Sequence, residues 1–117
     1  MPSRDQHLAK ADANRALLES VAVARSSPEW AITIAFYQAV HVVEAWAALR
    51  SQHHRSHRRR SETVNRELSP ISEDYAELYE ASRTARYAAD GLLTWTDFDR
   101  LTAGLARIEA HVRAALR

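Results

Sequence analysis

The chemistry of this sequence is concentrated between Arg50 and Arg60, where RSQHHRSHRRR holds five arginines, three histidines and no acid. The segment carries +5 in a chain of net charge +1, so the remainder is acidic at −4. A basic patch on a mildly acidic body suits an anionic partner. Arginine forks match phosphate oxygens, and histidine exchanges protons near neutral pH. Metal-free RNA cleavage needs those groups: a base for the 2′-OH, an acid for the leaving oxygen and a cation for the charged intermediate. The 2′-OH restricts such chemistry to RNA. Within the segment, Arg50 and His57 form the candidate catalytic pair. Arg55, Arg58, Arg59 and Arg60 are candidate phosphate contacts. The plain alternative is a charge run that keeps a loop solvated.

Two further readings bear on the same histidines. His53 and His57 stand four apart, a spacing that can chelate a metal. No glutamate lies between them as in HExxH, and the flanking arginines repel a cation, so no metal is assigned. No P-loop, GxGxxG, GxSxG or paired-carboxylate motif is present, so no cofactor is expected.

A second polar cluster lies inside apolar stripes. Tyr37, His41 and Glu44 fall at i, i+4 and i+7, and Tyr79, Arg83 and Arg86 or Tyr87 repeat that spacing later in the chain. Antiparallel packing of the two stretches predicts Glu44 beside Arg83, with His41 and the tyrosines alongside. A buried charge is tolerated only when paired and hydrogen-bonded. The cluster reads either as a network that fixes helix register or as a cleft, with His41 moving protons and Arg83 anchoring an anion.

These residues need helices to position them. At 117 residues the chain has the length of one domain, spanning 1–117. Two glycines and three prolines leave few helix breakers. A first helix is expected over about Asp5 to Arg25, on a stripe of Leu8, Ala11, Leu18, Val21 and Ala22. Ser27 followed by Pro28 reads as an N-cap and first helical residue. The second helix then runs to about Ser51 through Ile32, Phe36, Ala39, Val40, Val43 and Ala47. A short polar helix follows over His57 to Leu68, burying Val64 and Leu68. A fourth runs from about Ser72 to Ala89, closed by Asp90 and Gly91. The last is capped by Thr96 and extends to about Leu116 on Phe98, Leu101, Leu105, Ile108 and Val112. The predicted class is all-α, an up-and-down bundle of four long helices and one short one.

With no cysteine, disulfides, thiolate metal sites and a cysteine nucleophile are excluded. The polar N-terminal stretch does not read as a signal peptide, and Trp30 to Leu49 is interrupted by Gln38, His41 and Glu44. A cytoplasmic protein with no membrane partner is expected.

Three stretches resemble the HEPN superfamily of small helical domains. AFYQAVHVVEAWA, from Ala35 to Ala47, resembles its helix with an aromatic pair, a histidine and a following Glu-Ala. Arg55, Ser56 and His57 resemble the Ser-His that opens its next segment. DYAELYEASRTARY, from Asp74 to Tyr87, resembles its helix with spaced tyrosine, leucine, arginine and tyrosine. The resemblance implies an RNA-binding helical protein and a homodimer. It also implies metal-independent endoribonuclease activity in members with an Arg-x4–6-His motif, a spacing that Arg50 and His57 satisfy. Toxin–antitoxin or defence systems are the implied setting. The alternative is a non-catalytic module that binds a partner such as a nucleotidyltransferase-like protein, or a nucleotide in a pocket lined by His41, Tyr79 and Arg83.

Overall fold

The computed structural model describes residues 1–24, 27–87 and 92–116, with the side chains of 21–24 excepted. The expected contributions of Val21 and Ala22, the ends at Arg25 and Ala89, and the Asp90–Gly91 stop lie outside the described residues. Among the described residues five α-helices follow in order: α1 (Arg4–Ala24), α2 (Pro28–Ala48), α3 (His57–Glu67), α4 (Ser72–Tyr87) and α5 (Trp95–Ala114). A 3-10 turn, Ser69–Ile71, joins α3 to α4. The chain is an all-α helical bundle of four long helices and one short one.

Local chemistry sets the helix ends. Ser3 and Gln6 exchange side-chain and backbone bonds at the start of α1, a reciprocal capping box. Ser27 accepts from the Trp30 N–H, and Pro28 fills the first helical position. Ser56 caps α3 through the Arg59 N–H. Helix α5 starts at Trp95 under Thr94, not under Thr96 as the sequence suggested. Thr94 wins because Asp97, three residues on, returns its carboxylate to the Thr94 N–H and completes a capping box.

Helix α2 also stops earlier than expected, at Ala48 rather than Ser51. Ser51 adopts φ +56°, in the left-handed region. The Ser51 N–H reaches the Ala48 carbonyl and the Gln52 N–H reaches back to Ala47. This is the Schellman closure, which normally uses glycine at the left-handed position. It turns the connector sideways and returns it over the end of α2.

Helix α2 is the centre of the bundle and touches α1, α4 and α5. Ile32, Phe36, Ala39, Val43 and Ala47 are buried along it. Each large apolar side chain so enclosed contributes roughly 1.5–3 kcal/mol. Tyr75 and Leu78 of α4 and Leu101, Leu105, Ile108 and Val112 of α5 complete the core. By length and composition α2 would also suit a membrane, but 78% of its apolar window is buried inside the bundle.

Polar pairs fix the helix directions. His7 meets His41, so α1 and α2 run antiparallel. Tyr37 meets Arg86 while Glu44 lies at the level of Tyr75, so α2 and α4 are antiparallel as expected. Arg107 grips Asp74 with two bonds of 2.8 Å and Arg100 reaches Glu77, which sets α5 antiparallel to α4. Gln38 donates to Glu109 across the α2–α5 contact.

Candidate functional site

The site grows from the turn that carries the chain from α2 into α3. Helix α3 buries Arg60, Thr63 and Val64, with His57 half-buried one turn before Arg60. These positions share the face that packs on the bundle, so the short helix delivers an imidazole and a guanidinium inward.

Arg60 is therefore not an exposed phosphate contact. Its side chain is 8% exposed, and its Nε donates to Glu44 Oε1 at 2.6 Å. One terminal nitrogen donates to His57 Nδ1 at 2.9 Å and the other to the His54 carbonyl at 3.3 Å. His54 adds a second bond to the same carboxylate, Nδ1 to Glu44 Oε1 at 3.0 Å, and its Nε2 meets Thr63 Oγ1 at 2.8 Å. The predicted Glu44–Arg83 pair does not form. The α2–α4 register sets Glu44 level with Tyr75, and Arg83 lies nearer the other end, where it is exposed and pairs with Glu80. The connector folds back and supplies Glu44 with its cation instead.

Arg50 and His57 are likewise not brought together. Arg50 is exposed, lies over the Trp46 ring at 4.1 Å and donates to the Trp46 carbonyl. No hydrogen bond or ion pair joins it to His57 among the described residues. Arg58 pairs with Glu62 on the surface, whereas Arg55 and Arg59 are exposed and form no ion pair among the described residues.

His57 sits among aromatic rings. Phe36 is 5.3 Å away, Tyr79 5.6 Å and Tyr37 6.2 Å between centroids. Tyr79 stacks on Phe36 at 5.4 Å, and the Arg83 guanidinium lies 5.9 Å from the Tyr79 ring. Arg86 donates to the Tyr37 hydroxyl at 2.7 Å and lies within 6 Å of both the Phe36 and Tyr37 rings. Of the two α4 positions with the right spacing, Arg86 faces this cluster and Tyr87 is 80% exposed.

The wiring fixes the state of His57. Arginine only donates, so His57 Nδ1 accepts and the ring proton resides on Nε2. Burial lowers the imidazole below its ordinary range, and Arg60 and then Arg86 lower it further. His57 is thus neutral near pH 7. Among the described residues its Nε2 has no hydrogen-bond partner and is not one of the enclosed polar atoms, so it offers one N–H donor.

His41 belongs to a different face. Its Nδ1 lies 3.1 Å from Nδ1 of His7 on α1, so one proton is shared between the rings. Burial above all, then His7 and Lys10, brings His41 down to about 4. His41 thus bonds to α1 and not to Arg83 or His57, although Glu44 and Arg60 still act on its charge. Among the described residues, no three His, Asp or Glu side chains converge as a metal site.

The sequence reading missed Phe36, His54 and Thr63 as members of the site and Arg60 as its inner cation, and it left Arg86 and Tyr87 as alternatives. One signal was present: His57 and Arg60 stand seven and four residues before Val64, the residue expected to be buried. The helix phase that buries Val64 turns both inward.

No known protein family, no characterised protein and no solved structure matches this chain.

Proposed function

We propose that this chain is a HEPN-like RNA-binding protein that holds single-stranded RNA across the face formed by α2, α3 and α4. The observation that carries the reading is the convergence, from three helices, of an N–H of neutral His57, the Arg86 guanidinium, and the Tyr37 and Tyr79 rings. Single strands are bound by stacking bases on aromatic rings and placing cations along the phosphates. Arg83, Arg86 and the exposed Arg55 and Arg59 supply cations, and Tyr79 and Tyr37 supply rings.

Binding is better supported than cleavage. RNA transesterification needs an imidazole that takes and returns a proton. In His57 the free lone pair is occupied by Arg60, and two guanidiniums oppose the imidazolium. His57 would orient a phosphate oxygen rather than cycle a proton. The resemblance to HEPN domains also carries a homodimer, read as twice the 13.3 kDa chain mass in light scattering.

The test is fluorescence anisotropy of a labelled single-stranded RNA in EDTA across a salt series. Affinity should fall with a slope of about −0.7 per phosphate contact, and His57→Ala and Arg86→Gln should each weaken it. Salt-insensitive or absent binding would sink the reading. Cleavage in EDTA that disappears in His57→Ala would make the protein an endoribonuclease and overturn the binding-only role of His57.

A further inference from the structure

Beside the His57 face, a cleft of about 480 Å3 opens between the first turns of α2 and the last turns of α4, lined by Glu29, Trp30, Thr33, Tyr37, Ala85 and Arg86. Three of these residues are unusual. Trp30 leaves 66% of its surface in solvent, while Trp46 of the same helix is buried. Glu29 is half-buried and has no cationic partner among the described residues; the Ser27 hydroxyl approaches it at 3.5 Å. Arg86 holds its Nε enclosed without an acceptor while its terminal nitrogen grips Tyr37. An exposed indole, a half-buried carboxylate and an incompletely satisfied guanidinium thus share one concavity.

Resting on the RNA-binding reading above, we propose that this cleft is a base-specific subsite that selects guanine in single-stranded RNA. Trp30 provides the stacking face. Glu29 provides the specificity. A carboxylate repels phosphate, so the backbone passes on the Arg86 and His57 side and a base enters the cleft. Guanine presents two adjacent donors, N1–H and N2–H2, which match the two oxygens of one carboxylate. Adenine places the N1 acceptor against it, and uracil flanks its single donor with two carbonyls. Cytosine offers one amino group beside an acceptor. Arg86 lines the same cleft, and its terminal nitrogens can meet an anionic or carbonyl oxygen of the nucleotide. The sequence gives no local warning of this pairing, since Glu29 and Trp30 read as an ordinary acidic first turn.

Six-nucleotide uridine RNAs carrying one guanine, adenine or inosine, together with hexauridylate itself, test the proposal by anisotropy. The guanine oligomer should bind about tenfold tighter than the adenine and all-uridine ones, the size expected of one bidentate base contact. Inosine, which lacks the 2-amino group, should fall between. Glu29→Gln should abolish the preference without weakening hexauridylate. Tryptophan emission should be quenched by the guanine oligomer in the native protein and not in Trp30→Ala, a surface change that leaves the core intact. Equal affinity for all oligomers, or a preference that survives Glu29→Gln, would overturn the guanine subsite and leave RNA binding standing. Failure of every oligomer to bind would remove both.

Discussion

Glu44 anchors the site, and its replacement offers a quantitative test of how the connector is held. Glu44 and Arg60 are 6% and 8% exposed at the side chain, and the carboxylate accepts from both Arg60 Nε and His54 Nδ1. Glu44→Ala leaves a guanidinium enclosed without its counter-charge. Breaking a buried pair from one side costs about 3–5 kcal/mol. That is a large share of the roughly 5–15 kcal/mol that holds a domain of this size. At about 4 °C per kcal/mol, the melting temperature should fall by roughly 12–20 °C. Arg60→Met should cost less than Glu44→Ala, because the carboxylate keeps its hydrogen bond to His54. The double replacement Glu44→Ala with Arg60→Met removes both charges and should cost clearly less than the sum of the two single replacements. Urea unfolding of the four proteins gives the coupling energy, expected at 2 kcal/mol or more. Should Glu44→Ala fail to fold, Glu44→Gln keeps one acceptor and, alone and combined with Arg60→Met, supplies the cycle. A single-variant cost below about 1 kcal/mol, or a coupling near zero, would refute the reasoning.

Acid should loosen the α1–α2 contact. His41 is held at about 4 and His7 is also lowered, both chiefly by burial. The unfolded chain therefore binds more protons below 6.5, and stability present above that pH is lost between about 6.5 and 4. The partly exposed His41 loses only part of the energy its drop would carry if fully enclosed, leaving roughly 1–2 kcal/mol. Around the imidazole stand His7 and Lys10 of α1, Glu44 of α2 and Arg60 of α3, and Glu44 opposes the shift weakly. His41→Gln should flatten the pH dependence of urea unfolding; an unchanged slope would count against this origin. Ser51→Gly should stabilise the chain by about 0.5–1 kcal/mol, because it relieves a left-handed serine and offsets the added freedom of the unfolded chain. A loss of stability on thermal melting would contradict the Schellman assignment. Thr94→Ala should cost about 1 kcal/mol through the lost capping box, whereas Thr96→Ala should cost less than half of that.

The parts of the fold that were legible in the sequence are those set by neighbours in the chain. Ser27 with Pro28, the start of α3 at His57, and the buried Val64 and Leu68 all follow from capping and periodicity within one or two turns. Thr94 could have been read the same way, from the Asp97 that answers it. The partner of Glu44 is a different matter. It depends on the register between α2 and α4 and on a left-handed serine that folds the connector back. Neither is encoded by spacing along a helix. The connector's arginines likewise look alike in a string of eleven residues. Only the phase of α3 separates Arg60, which is enclosed, from Arg58 and Arg59, which face solvent. Arg86 and Tyr87 differ by one residue and 100° of helix, and that rotation decides which of them joins His57.

RNA affinity at the α2–α3–α4 face is best measured with paired charge removals. Arg86→Gln removes a cation from that face, and Arg100→Gln removes one from the exposed surface of α5, where it pairs with Glu77. Labelled single-stranded RNA titrated in EDTA at several salt concentrations should bind about tenfold or more weakly to Arg86→Gln, the scale of one lost charged hydrogen bond. Its salt slope should shrink by about 0.7, while Arg100→Gln should match the native protein. Equal losses in the two variants, or no binding by the native chain, would contradict the assignment of this face to RNA.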